Sequence, residues 1–392
     1  MNRIFLISIL FLNLYAEHGI CIVPVADLVG APLSKGTNSS TQKYKKLPIN
    51  GDAQIVKRIG QLLFNEVVDI IDQYKDELCI STLNQFYCTT SDKKPRTNYW
   101  THKKNILPLS KIEDKKCIPE ALDFKNKMSE FTHKYVTLKK PFFDHQASLC
   151  YSAGTRFENI PDRQDKKTKT VLIVSKNTAP TTLKIPKGYL TPHSLSQQEK
   201  RNLFVQILKK YAHLRNGKIP YVFGGNSLAN RYKKPYKEKF ITKNGSHMQI
   251  FKINEHKKGP HTGVDCASLI YRCAQIAELP FFTKNSSAMY HHLRPLQENE
   301  EIENGDIVYI PGHVIVITDK DRNLVVESRT QSHGYGFVHE IEIRKLFKEI
   351  KTLDDIKKYH FSKRSVIRIN KEKKSIGKKT ITILKLTSIF EN

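Results

Sequence analysis

The sequence predicts a multidomain chain, with two small β-barrels followed by an α+β domain built on an antiparallel sheet. Three observations lead there. The chain has 392 residues, room for two to four domains at roughly 100–200 residues each. Short β-type runs recur at about ten-residue spacing over 55–110 and again over 131–193, as in small barrels. After 194 the texture changes to a helix, a Gly pair, a second helix and three close strands.

The elements follow in chain order. Residues 1–16, MNRIFLISILFLNLYA, place one Arg ahead of an apolar run and a small-residue exit. That is the form of a secretory signal, and it predicts export. The run is shorter than the ~20 residues a membrane span needs. Cys21 follows Ile20, which argues against a lipid anchor. Residues 17–54 read as an irregular leader. The first barrel, 55–110, rests on QLLFNEVVDIID (61–72), ELCIST (77–82) and NYWTHKKNILPL (98–109). A polar connector spans 111–130. The second barrel, 131–193, rests on KYVTLKK, SLCYSAGTRFENI, TVLIVS, TLKIP and GYLTP.

The last domain is predicted over 194–362. In 195–216, Leu203, Phe204, Ile207, Leu208 and Ala212 fall at helical spacing behind Ser194 or Ser196 as N-cap. IPYVFGGNS (219–227) reads as a strand running into a Gly pair, and 228–262 as a long surface insertion. VDCASLIYRCAQIA (264–277) reads as a helix with one apolar face of mostly small residues. GDIVYI (305–310), HVIVITD (313–319) and LVVESR (324–329) read as three antiparallel strands. A basic tail, 363–392, ends with a strand candidate at TITILKL (380–386).

Composition narrows the function. Apolar residues make up 39%, with 17 Tyr and 19 Phe, too many for a largely disordered chain. Lys and Arg number 65 against 38 acidic residues, a net charge of +27. Charge alone suggests nucleic acid. Export opposes that reading, as do scattered lysines and the lack of a nucleic-acid motif. Export also permits disulfides, and seven Cys (21, 79, 88, 117, 150, 266, 273) leave an odd thiol. Cys266 and Cys273 are seven apart, and His291 and His292 are adjacent. Neither is a paired zinc spacing, so no metal or other cofactor is expected.

Three residues suggest chemistry together. Cys266 opens a helix, His313 starts a strand 47 residues later, and Glu327 lies on the next strand. A helix N-terminus favours a thiolate, and an imidazole base needs a polar group to orient it. Each residue alone would be an ordinary core or strand residue.

GVDCASLI (263–270), preceded by YVFGG (221–225) and followed by NGDIVYIPGHVIVI (304–317), resembles the NlpC family of papain-like cell-wall cysteine peptidases. The resemblance covers roughly 195–345. Upstream, VPVADL (23–28), QLLFNE (61–66) and the NYWTHKKNI stretch are similar to a subgroup with two bacterial SH3-like barrels, the gamma-D-glutamyl-L-diamino acid endopeptidases, or dipeptidyl-peptidase VI. It implies Cys266 as nucleophile, His313 as base and Glu327 in place of the usual third His or other polar residue. It implies substrate-binding positions at Tyr99, Phe223, Asp265, Asn285 and Ser286. Two departures bear on specificity: Ala267 replaces the Ser after the Cys, and Asn285 replaces an Asp.

The implied activity is hydrolysis of the gamma-D-glutamyl bond in peptidoglycan stem peptides bearing a free N-terminal L-Ala. The enzyme would act outside the cytoplasm, in the periplasm or beyond, with no nucleic-acid partner and no stable membrane span. The competing reading is an exported wall-binding protein with a weakened catalytic domain. On the family reading, the positive charge would face an anionic envelope or carboxylate-rich peptides.

Overall fold

The computed structural model describes residues 17–35, 58–82, 98–112, 134–160, 165, 167–174, 181–192, 195–214, 218–229, 237–243, 246–252, 262–280 and 284–391. The expected signal (1–16) and nearly all of the connector (111–130) lie outside these residues.

Seven strands make the first antiparallel sheet: β1 (Glu17–Cys21), β2 (Val25–Val29), β3 (Arg58–Leu63), β4 (Val67–Tyr74), β5 (Glu77–Thr82), β6 (Asn98–His102) and β7 (Ile106–Pro108). Their order is β3-β2-β6-β5-β4-β1-β7. Residues 17–29, read above as irregular leader, supply two of these strands. Each is only five residues long, so its strand character depends on distant partners. The end strands β3 and β7 do not pair with each other among the described residues, so an open sheet stands where a closed barrel was expected. One face packs Leu28, Leu62, Val68, Ile80 and Tyr99 into a core.

The 61–72 run breaks where Asn65 adopts φ +66°, a left-handed turn that Asn tolerates better than most residues. The turn sends Phe64 into the neighbouring core, 4.9 Å from the Tyr151 ring. That core belongs to β8 (Tyr135–Thr137), β9 (Phe142–Asp144), β10 (Leu149–Tyr151), β11 (Arg156–Ile160), β12 (Thr168–Ile173) and β13 (Thr181–Pro186). They form the sheet β13-β12-β11-β8 and the hairpin β9–β10.

Helix α1 (Gln197–Ala212) starts at Ser196, whose hydroxyl caps Glu199 while the Glu199 carboxylate returns the bond. The segment 219–227, expected as a strand, makes single β-bridges at Pro220 and Tyr221, turns at 223–224 and is a strand only at β14 (Asn226–Ser227). Gly224 sits at φ +65°, which ends any extended run. The insertion contains the paired strands β15 (Lys237–Lys243) and β16 (Ser246–Lys252). Its expected ends at Leu228, Ala229 and Thr262 are buried, so the protruding part is shorter than 228–262.

Next come β17 (Gly263–Val264), α2 (Cys266–Ile276), α3 (Ser286–His292), β18 (Ile307–Ile310), β19 (His313–Asp319), β20 (Leu324–Ser328), β21 (Val338–Glu342), α4 (Leu353–Ser362), β22 (Ser365–Ile369), β23 (Ser375–Thr380) and β24 (Thr382–Leu384). The central sheet runs β21-β20-β19-β18-β24. Val314 and Val316 face the core shared with α1 and α2, while Ile315 and Ile317 face the core that holds Phe347 and Ile356. A sheet covered on both faces explains why 314–317 is apolar without alternation.

The expected basic tail is integral to this domain. β24 joins the central sheet beside β18. The Asp306 carboxylate accepts from Lys385 Nζ at 2.8 Å and from the Leu386 N–H at 3.2 Å. Among the described residues, no helix is long and apolar enough to cross a membrane.

Candidate active site

Asp265 builds the start of α2. Its Oδ1 accepts the Ser268 N–H at 2.7 Å as helix cap. Its Oδ2 accepts the Gly224 N–H at 3.1 Å and the Lys284 ammonium at 3.0 Å. Lys284 is buried and also donates to the Ser268 hydroxyl. One carboxylate therefore joins the glycine turn, the helix and a buried cation.

Cys266 is the first residue of that helix and is half-buried. The N–H groups of Val314 and Ala267 donate toward its sulfur, which places the thiol against the start of β19. Burial pushes the thiol up to about 12, with Asp265 adding to the rise; the two N–H donors and Lys284 oppose it.

His313 opens β19 and is 7% exposed. Its Nε2 lies 2.6 Å from Glu327 Oε2 on β20. Nε2 is thus the ring nitrogen that Glu327 engages. Burial pushes the imidazole down to about 4, and Arg368 adds to this, while Glu327 opposes both. Both shifts favour the neutral forms, thiol and imidazole, in the absence of substrate.

Glu327 is 1% exposed, and burial alone would raise its pKa. Arg329 and the two histidines at its oxygens outweigh that and hold it well below the usual carboxylate range. Arg329 Nη1 lies 3.4 Å and His339 Nε2 3.2 Å from Glu327 Oε1. Tyr335 stacks on His339 at 4.4 Å and lies under the Arg329 guanidinium. Arg329 also donates to the Ile369 carbonyl at 2.6 Å, tying the carboxylate to β22. Two histidines and a carboxylate meet here, yet among the described residues no group of three or more His, Cys, Asp or Glu is arranged to hold a metal ion.

The other expected residues divide. Phe223 is half-buried, and its carbonyl accepts from Arg58 Nη1 at 3.3 Å. Arg58 is held by Asp27 at 2.5 Å. Asn226 is clamped by Gln61 through two hydrogen bonds of 2.8 and 3.1 Å. The first sheet therefore abuts the glycine turn. Asn285 spends its Oδ1 capping α3 through the Ala288 N–H at 2.7 Å, and Ser286 is the first residue of that helix. Tyr99 is 3% exposed in the core of the first sheet, electrostatically coupled to Tyr271 of α2.

Sequence reasoning missed Lys284, Arg329, His339 and Arg368. Only Arg329 left a signal, since it stands two residues beyond Glu327 in the strand run, where side chains share a face.

No family model matches the chain, and no curated protein matches it either. Solved structures do. An NlpC/P60 family protein from Bacillus cereus ATCC 10987 aligns over 83% of this chain and 94% of its own, with TM-score 0.51 and 14% identity. An NlpC/P60 endopeptidase from Photobacterium damselae subsp. piscicida aligns over 96% and 68%, with TM-score 0.38 and 11% identity. NlpC2 from Trichomonas vaginalis aligns over 84% and 94%, with TM-score 0.31 and 10% identity. The Bacillus cereus likeness, spanning most of both chains, gives this protein the fold of an NlpC/P60 family structure.

Proposed function

We propose that the chain is a cysteine peptidase hydrolysing the gamma-D-glutamyl-diamino acid bond of peptidoglycan stem peptides. The observation that carries this is the 2.6 Å contact between His313 Nε2 and Glu327 Oε2, beside a helix-opening Cys266 that rests on β19. The His–Glu contact aims an imidazole, and the Val314 N–H brings the thiol to the residue that follows it.

In the proposed reaction, Cys266 Sγ attacks the gamma-glutamyl carbonyl as its proton passes to His313 Nδ1. Glu327 holds the Nε2 proton and stabilises the imidazolium that forms. The Cys266 N–H, at the helix N-terminus, is the candidate oxyanion donor. His313 then gives its proton to the leaving amine. Water, deprotonated by His313, cleaves the thioester and returns the thiol.

The proposed substrate begins with a free L-Ala. Support comes from Arg58 and Gln61, which bring the first sheet against the glycine turn. Export and two SH3-like wall-binding modules complete the proposal, the latter supported by the antiparallel sheets ahead of α1.

The test is incubation with L-Ala-gamma-D-Glu-diaminopimelate and mass spectrometry for L-Ala-D-Glu. Wild type should release it, Cys266→Ala should not, and an N-acetylated peptide should be cut more slowly. Absence of product with wild type would favour a wall-binding protein without catalysis. Product that survives Cys266→Ala would sink the mechanism.

A further inference from the structure

A cavity of about 850 Å³ opens between the 341–348 segment and the hairpin β22–β23. That volume falls within the roughly 300–1,000 Å³ of small-molecule sites. Its floor is apolar, made by Ile341, Phe347, Ile367 and Ile369. Its rim carries Arg344, Lys345, Lys348, Lys371 and Lys373, all exposed.

Five of the twelve lining residues are cations and none is acidic, against 65 cations and 38 acids in 392 residues for the chain. The general Lys bias therefore does not account for the rim. Glu342, just outside the lining, pairs with both Arg344 and Lys345, so one carboxylate serves two cations. Lys348 and Lys373 have no ion pair among the described residues. Cations gathered over an apolar floor repel one another until an anion enters.

We infer that this cavity binds an organic phosphate, with its dianionic head at the Lys348–Lys373 rim and a short aliphatic body on the isoleucine floor. Lysines present compact charges that suit a phosphate head, whereas one carboxylate would leave most of the rim uncompensated. The body is aliphatic rather than a nucleobase. Of the two aromatic rings in the lining, Tyr335 already stacks on His339 beneath Arg329, and Phe347 is 1% exposed. Its lining includes none of Cys266, His313 and Glu327. It meets the histidine network through Tyr335 and through Ile369, whose carbonyl holds Arg329.

Calorimetric titration of the full chain at physiological salt tests this with three probes: hexyl phosphate, inorganic phosphate and hexanoate. Hexyl phosphate should bind one to one, at least about tenfold more tightly than either other probe. Lys348→Gln/Lys373→Gln should weaken it by at least about tenfold with the unliganded Tm unchanged. Lys184→Gln/Lys187→Gln, which removes the same charge from the second sheet, should stay within about twofold of wild type. Equal loss in both double variants would reduce the effect to diffuse attraction and overturn the site. Inorganic phosphate binding as tightly as hexyl phosphate would remove the role of the floor. Hexanoate binding as tightly would remove the phosphate class, and no saturable binding of hexyl phosphate would end the proposal.

Discussion

His313 Nε2 and Glu327 Oε2 lie 2.6 Å apart, and both side chains are buried. The carboxylate also faces Arg329 and His339, so its charge is shared among three partners. Glu327→Gln keeps the shape and removes that charge. The imidazolium formed during proton transfer would then face Arg329 and Arg368 without compensation. Steady-state kinetics should show kcat lower by about 10²–10⁴ with KM little changed. A variant within threefold of wild type would mean Glu327 only packs.

His313 also makes stability depend on pH. Its folded pKa is about 4, against 6.5 for the ordinary side chain. Between those values the unfolded chain binds a proton that the folded chain refuses. Stability is complete above 6.5 and falls as pH drops toward 4, by up to about 3 kcal/mol from this group. Urea midpoints across that window should fall in wild type and fall less in His313→Gln. Parallel profiles would assign the slope to other histidines, the half-buried His333 first, whose partial burial also pushes it down to about 4.

Lys284 is a buried ammonium whose charge is answered by Asp265. Lys284→Met leaves that carboxylate with backbone donors alone. Breaking such a pair from one side costs about 3–5 kcal/mol when both groups are fully buried, and somewhat less here because Asp265 is partly exposed. Chemical denaturation should show a loss of about 2–4 kcal/mol, and the double variant Lys284→Met/Asp265→Asn should recover part of it. No recovery would mean that the lysine stem, rather than its charge, matters.

Gly224 links the glycine turn to the first sheet. A Cβ there would stand 2.3 Å from the Arg58 carbonyl oxygen, at φ +65°. Gly224→Ala must therefore separate the turn from β3 or strain both. It should lose at least about 2 kcal/mol of stability and raise KM for the free-amine peptide. An alanine variant with unchanged KM would detach the first sheet from substrate binding.

How much of this was legible depends on whether the signal was local. The helix opening at Cys266 shows in the sequence because Asp265 is a good cap and small residues recur on one face behind it. The strands at 307–328 show because a doubly covered sheet needs unbroken apolar runs. Lys284 was invisible, since a lysine reads as surface until a carboxylate 19 residues away takes it inside. Arg368 and His339 were hidden for the same reason. β1 and β2 were missed because their pairing partners lie far along the chain. Asn285 looked like a substrate position, yet the local demand for a helix cap uses its oxygen. Asp306 looked like part of a motif, yet it anchors the C-terminal strand through Lys385.

The opposed shifts of Cys266 and His313, each toward the neutral form, give the sharpest test of the proposed chemistry. A preformed thiolate–imidazolium pair would alkylate quickly and at nearly constant rate down to low pH. Here burial holds the Cys266 thiol at about 12 and His313 at about 4. The thiolate is then scarce at neutral pH and forms as the proton moves to His313 during attack. Iodoacetamide labelling of the Cys266 peptide, read by mass spectrometry, should be slower at pH 7.5 than for free cysteine, which ionises near pH 8.5. Its rate should climb about tenfold per pH unit to beyond pH 10. Peptide hydrolysis, which recruits His313 as base, should instead stay nearly flat over the same range and fall only toward pH 4. Fast, pH-independent labelling at pH 6 would show that the ion pair exists before substrate arrives. Glu327 would then act by stabilising that resting pair, not the imidazolium of the transition state.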